Sequence, residues 1–396
     1  MTRMSDPAPH RLCGITWNHT RGLLPLVATA QRYSETHPGV EIIWEKRSLQ
    51  AFADAPLEKL AESFDLLVID HPHAGLAAAG GFLVPLDVEL PADYLADQSA
   101  NQVGRSHDTY AYGGHQWALA IDAATPVASW NPEALGRAAR QVPKTWGELL
   151  LLAETGAVVV PAIPIDSLMN WYALCADIDD SLFAETDHLV EESTGRRALE
   201  HLADLVRRCP PSCLERNPIA VYEALCDPSD PAAYCPFAYG YANYAQPGYA
   251  TARLVFGEPP TAPSGRPLRT TLGGTGLAIS AKSPHRALAA DYARYVAGAA
   301  TQSGLYVRAG GQPGHRAAWT DPAASAWTND YFTATLAALD RAYIRPRFAG
   351  YMHFQDEASP VVHRALRGEV SPAQAVREMD AIYKESLRGN PPVEKL

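Results

Sequence analysis

The spacing of hydrophobic positions changes period several times along this chain. Leu23 to Thr36 is helix-like and ends at His37-Pro38-Gly39. Val40 to Trp44 is rich in β-favouring residues and predicts a strand. A second helix is expected over roughly 49–62. It leads into Phe64 to Asp70, a short apolar run bounded by polar residues, as in a buried parallel strand. This β-α-β-α-β rhythm predicts a parallel sheet with helices on both faces. Ligands of such sheets bind beyond the carboxyl ends of the strands, here Thr16 to His19 and Asp70 to His73.

Further along, 75–116 predicts a helix and a turn-rich segment, and Gln116 to Ile121 a strand stopping at Asp122. Thr145, with Glu148 three residues on, forms a capping-box pattern before the Leu149 to Leu152 run. Ala157 to Val160 and Ala233 to Tyr239 read as strands, and 165–177 and 194–208 as helices. Residues 257–268 have the Pro/Gly content of a linker or hinge. Leu277 to Ser280 predicts a strand, Pro284 to Gly298 an amphipathic helix, and Ser371 to Leu387 a final helix opened by Ser371-Pro372.

At 396 residues the chain is long enough for two domains, and 47% hydrophobic with 19% charged residues is a globular balance. The net charge of −11 and the lack of a basic block argue against nucleic acid and anionic membrane surfaces as partners. No run of about 18 apolar residues predicts a membrane-inserted helix. The first ten residues are polar and lack the apolar core of an export signal, so a cytoplasmic location is expected, or a periplasmic one if the start is truncated or replaced. Of the six cysteines only Cys209 and Cys213 have knuckle-like spacing, too little for structural zinc. Reduced, buried thiols are expected, and a Cys213–Cys235 disulfide only if the protein is exported. Eight Trp and eighteen Tyr supply many flat faces that suit ring stacking, though most are expected in the core.

Several short segments occur in a telling order. Phe82-Leu83-Val84-Pro85-Leu86-Asp87 comes first, then Val142-Pro143-Lys144-Thr145-Trp146-Gly147-Glu148-Leu149. Gly276 to Ser283 and the helical Ala287 to Ala297 follow, then Ser303 to Trp319 with Gly310-Gly311-Gln312-Pro313-Gly314-His315-Arg316. Together they resemble the family 1 solute-binding proteins of ABC importers, over roughly residues 12–388. The resemblance implies an α/β, two-lobed periplasmic-binding-protein-like fold of type II. Each lobe would be a mixed, mostly parallel sheet flanked by helices, with a hinge between lobes. The expected division is 1–121 plus 273–315 and 122–272 plus 316–396, with crossings near 121–126, 260–275 and 312–320. The implied function is capture of a small polar organic ligand, such as a sugar, a sugar acid or another organic acid, in an interlobe cleft by hinge closure. It further implies an ABC permease as partner, a monomer and no cofactor. The missing export signal sets a second reading beside it: a cytoplasmic sensor, carrier or recruited enzyme of the same fold.

The candidate ligand residues lie at predicted strand ends. Trp17 offers a stacking face, and Asn18 and His19 offer hydrogen bonds, against the alternative of a buried Trp. Asp70 and His71 could meet hydroxyls, though Asp70 could equally cap a helix. His71, His73 and Asp70 lack an identifiable third partner for a metal site. Tyr239 and Tyr241 share one face at period two, with Asn243 nearby. Gly274 and Thr275 would offer backbone amides and a hydroxyl, since the glycine run is too short for a phosphate loop. Trp17, His71 and Tyr241 are expected to face one another across a groove. Asp122, Trp171, Gln312 and Arg345 are second-rank candidates, with Arg345 and Arg347 read as a surface pair. No hydrolase, zinc-protease or redox motif points to an enzyme.

Overall fold

The computed structural model describes residues 10–48, 56–137 and 139–389. The polar start over 1–9, and the first part of the helix expected over 49–62, lie outside the described residues. The strands are β1 His10–Trp17, β2 Val40–Arg47, β3 Leu66–Ile69, β4 Ala111–Tyr112, β5 His115–Gln116, β6 Leu119–Ala124, β7 Pro126–Trp130, β8 Tyr234–Tyr239, β9 Val255–Gly257 and β10 Gly273–Ile279. The chain divides into two compact units: Met1–Ala123 with Gly274–Ala324, and Ala124–Gly273 with Ser325–Leu396.

The first unit is built on a five-stranded sheet of order β2-β1-β3-β10-β6. β1 runs parallel to β2 and to β3, while β10 is antiparallel to β3. Strand periodicity explains why β3 reads as a continuous apolar run. Leu66 and Val68 pack into the core on one face, and Leu67 and Ile69 into the core on the other. All four are essentially inaccessible. The helix Thr20–Thr36 covers the first face, and the helix Arg286–Ala297 packs on the same core. The Tyr292 hydroxyl ties them, lying 3.1 Å from Thr29 Oγ1 and donating to the Leu26 carbonyl at 3.2 Å.

The second unit holds a three-stranded sheet of order β8-β7-β9. Here the expectation of a mostly parallel sheet fails, because β7 pairs antiparallel with both neighbours. The physical reason is connectivity. About a hundred residues of mainly helical chain separate β7 from β8, and nothing local to either strand records the direction of return. The apolar run Ala157 to Val160, expected as a strand, is buried extended chain with a single parallel bridge, Val158 to Tyr234. Residues 257–268, read as a linker, lie inside this unit, and Ala262 N–H closes a turn on the Arg266 carbonyl at 2.8 Å.

Other local readings hold. Thr145 Oγ1 accepts from Glu148 N–H at 3.2 Å and the Glu148 carboxylate accepts from Thr145 N–H at 3.3 Å, the reciprocal capping box. Ser371 caps the helix Pro372–Ser386. The helices Pro164–Ile178, Glu192–Arg208, Tyr351–Leu366 and Pro372–Ser386 bury Trp171, Leu202, Phe354 and Met379. Phe183 is the centre of an aromatic cluster, meeting Tyr172, Tyr351, Phe354 and Tyr383 edge to face.

One buried acid stands out. Asp166 is 6% exposed in the first turn of Pro164–Ile178, and its Oδ2 has no hydrogen-bond partner. Burial pushes its carboxyl up to about 8. A folded-state value above the unfolded one means that the unfolded chain releases this proton first as pH rises. The group therefore lowers stability progressively from about pH 4 to about pH 8. Asp166→Asn removes that titration. Urea unfolding at pH 5 and pH 8.5 should show the variant gaining on the wild type by more than about 1.4 kcal/mol, the equivalent of one pKa unit. Parallel pH profiles for the two proteins would contradict the assignment.

Candidate functional site

Strand register gathers several candidates at one edge of the first unit's sheet. Trp17 pairs with Arg47, Ile15 with Leu67, and Ile69 with Gly276. The segments just past these pairs are Trp17 to His19, Asp70 to His71 and Gly274 to Thr275. Asp122, near the end of β6, joins them: a Cβ on Gly274 would stand 2.3 Å from its carbonyl oxygen. Gly274 also has φ +113, so only glycine allows this approach.

Each candidate has a definite place. Trp17 is 5% exposed and belongs to the core, its indole lying on Gly22. Asn18 is exposed. His19 caps the helix Thr20–Thr36, its Nδ1 accepting from Arg21 N–H at 3.0 Å. Burial first, and the Arg21 charge second, hold His19 down to about 4, so it is neutral at pH 7. Asp70 caps the short 3-10 turn His71–His73, accepting from His71 N–H at 2.8 Å. His71 is buried, with Nδ1 3.3 Å from Asp70 and its ring edge-on to Tyr110. Thr275 is 7% exposed, and its buried Oγ1 makes no hydrogen bond.

Tyr239 and Tyr241 belong to the second unit. The Tyr239 hydroxyl lies 2.8 Å from Thr271 Oγ1, and its ring covers Gly273. Tyr241 is buried beside Tyr222, and Asn243 is fully buried. Two second-rank candidates are framework groups: Trp171 donates to the Gly195 carbonyl, and Gln312 donates to the Ala123 carbonyl at 2.8 Å. The surface reading of Arg345 and Arg347 is overturned, since both are 5% exposed and Arg345 donates to Gln355. Among the described residues no group of three or more His, Cys, Asp or Glu side chains is placed to hold a metal ion.

Sequence reasoning missed Arg21. This residue is 4% exposed and forks onto Asp122, with Nε donating to Oδ2 at 2.7 Å and the second nitrogen to Oδ1. Burial pushes the Asp122 carboxyl up, and Arg21 pulls it back down. Asp70 acts on Asp122 as a second negative charge. The pair lies 101 positions apart in the chain, so no local motif announces it. The only local hint is an arginine in a first helical turn just after a strand end.

The chain belongs to the bacterial extracellular solute-binding protein family, whose pattern it matches over residues 28–330. This is a family of binding proteins rather than enzymes, and membership implies a small-molecule ligand and cooperation with an ABC permease. Solved structures share the fold. The maltose-bound MalE3 protein of T. maritima superposes with TM-score 0.80 at 18% identity, covering 95% of this chain and 98% of that one. An ABC transporter solute-binding protein of Agrobacterium radiobacter, in complex with ribitol, gives 0.79 at 19%, covering 96% and 100%. One from Thermotoga lettingae, bound with alpha-D-tagatose, gives 0.79 at 18%, covering 95% and 99%. Among the described residues no helix is long and apolar enough to cross a membrane.

A buried ion pair loses most when one partner is removed, because the other charge stays behind without compensation. Arg21→Met and Asp122→Leu should each cost about 3–5 kcal/mol of unfolding free energy. The double variant should lose clearly less than the sum. Urea unfolding of all four proteins checks this, and additive losses would contradict direct pairing.

Proposed function

We propose that this protein captures a neutral sugar or polyol and delivers it to an ABC permease, closing its two lobes over the ligand by hinge bending. The observation that carries this reading is the polar strand-end edge of the first unit. Asp70 offers carboxylate oxygens, Thr275 an unsatisfied hydroxyl, and Asn18 an exposed amide. Hydroxyl-rich ligands are recognised by such a mixture of acceptors and donors. Charge supports a neutral ligand. Arg21 is compensated by Asp122, and His19 is uncharged at pH 7. Maltose, ribitol and tagatose in the related structures point the same way. Tyr239 and Tyr241 are proposed as the second lobe's contribution.

One observation favours an acidic ligand instead. Arg47 ends β2 opposite Trp17 and is a cation at the same edge. A thermal-shift screen with sugars, polyols and sugar acids separates the two. A ligand at 100 times its Kd stabilises by about 2.7 kcal/mol. Shifts with neutral sugars or polyols alone support the main reading, and shifts confined to acids overturn it.

Thr275→Val tests the site itself. Removing a buried hydroxyl that lacks a partner should leave the ligand-free Tm unchanged or raised. Affinity for the ligand found in the screen should fall roughly five-fold, equivalent to about 1 kcal/mol. Unchanged affinity by calorimetry would remove Thr275 from the site.

A further inference from the structure

The loop Gly310 to Arg316 contributes no group to the proposed solute site, but it clamps the end of β6. Ala123 N–H donates to the Gln312 carbonyl at 3.2 Å, and Gln312 Nε2 donates back to the Ala123 carbonyl at 2.8 Å. Pro313 bridges to Asp122, and a Cβ on Gly314 would stand 2.6 Å from the Ala120 carbonyl oxygen. Ala123 is the last residue before the chain enters the second unit.

The loop is held in turn by the segment 101–108. Gln102 forms an isolated bridge with His315, and its carbonyl accepts from Arg316 Nε at 2.9 Å. Its side-chain oxygen accepts from the His107 and Asp108 amides at 3.1 and 3.0 Å. Arg316 N–H donates to the Asn101 carbonyl at 2.7 Å, and Ser106 Oγ to the Gly314 carbonyl at 3.2 Å. Two histidines, His107 and His315, therefore lie at one seam, each 5% exposed.

His315 caps the short helix Arg316–Trp319, its Nδ1 accepting from Ala317 N–H at 3.2 Å. An accepting Nδ1 carries no proton, so the neutral ring keeps its proton on Nε2, which is buried without a hydrogen bond. A second proton can enter only at Nδ1. There it turns the acceptor into a donor facing a donor, and the cap is lost. His107 Nδ1 is also buried without a hydrogen bond, so the charged ring holds a proton that nothing accepts. Two carboxylates favour the charged rings, Asp97 acting on His315 and Asp108 on His107. Both are already engaged, Asp97 by Asn101 and Asp108 by Ser99 and Arg105. From β5, Gln116 Nε2 donates to the His107 carbonyl, and the neighbouring His115 is paired with Asp87. Burial prevails, lowering His315 and holding His107 down to about 4.

We propose that His107 and His315 form an acid latch: proton uptake by the pair opens the seam between 101–108 and 310–316 and loosens the clamp on Ala123, while the sheet of the first unit stays folded. The sign follows from the buried rings. A closed-state value below the ordinary 6.5 means that the opened seam takes up protons first as pH falls. The seam is fully held above about pH 6.5 and loses its hold toward about pH 4. Across that window His107 alone favours opening on the order of 100-fold.

Hydrogen–deuterium exchange with mass spectrometry reads the seam in the intact wild-type protein at pH 7 and pH 4.5, with rates corrected for their intrinsic pH dependence. The Gly314, Arg316 and Ala317 amides should lose protection at least about ten-fold in acid, while β1 and β3 keep theirs. His315→Asn retains a cap and should lessen the loss. His107→Phe combined with His315→Asn should abolish it. Equal protection of the wild-type seam at both pH values overturns the proposal, as does a loss spread evenly over the whole unit. So does an undiminished loss in either variant, which would assign the effect to another group such as His19. The wild-type comparison requires no variant to fold. Circular dichroism at pH 7 checks the variants, and His315→Asn alone carries the second arm if the double variant is unfolded.

Discussion

The fork of Arg21 onto Asp122 is the constraint that holds the strand-end edge of the first unit together. Arg21 opens a helix just after β1, and Asp122 lies near the end of β6, at the far side of the five-stranded sheet. Both are almost fully buried, so neither charge is tolerable without the other. The consequences spread outward. His19 caps the same helix and is kept neutral partly by Arg21. Gly274 passes within a Cβ's width of Asp122, which forces both its conformation and its identity. Thr275 follows directly and is thereby delivered to the edge. Gln312 pins Ala123, one residue on.

Such a pair also bears on what the site can bind. An arginine already saturated by a carboxylate adds rigidity and little net charge. The polar groups around it then act as dipoles and hydrogen-bond partners, which suits uncharged hydroxyl-rich solutes. Ion-pair burial is a costly way to gain stability compared with apolar packing. Its placement at the edge proposed to meet the ligand, where fixed geometry matters most, fits that cost.

The second unit relies on a different principle. It holds an aromatic cluster, with Phe183 ringed by Tyr172, Tyr351, Phe354 and Tyr383. Asp166 is buried in this unit. Such a group ties folding to pH, whatever the ligand is.

Much of this was legible before the structure. Local periodicity marked β1, β2 and β3, the Thr145 capping box and the Ser371 helix start, because each depends on residues within about four positions of one another. The predicted ends of β1 and β3 in turn singled out Trp17 and Asp70 as candidates, since a parallel sheet brings the carboxyl ends of its strands to one edge. Burial of Trp17 and a capping role for Asp70 were alternatives the sequence already offered, and the structure shows both. The burial of Arg345 and Arg347 was not legible, because it depends on what a distant segment brings against the side chains. The antiparallel direction of β7, β8 and β9 was hidden for the same reason. So was Arg21, whose partner lies about a hundred residues away. The amino-acid sequence by itself determined many of the elements and several of their caps, because backbone repeats and short-range hydrogen bonds are local. Only the tertiary structure decided which charges neutralise each other and which hydroxyl is left without a partner, because those outcomes depend on where the chain returns.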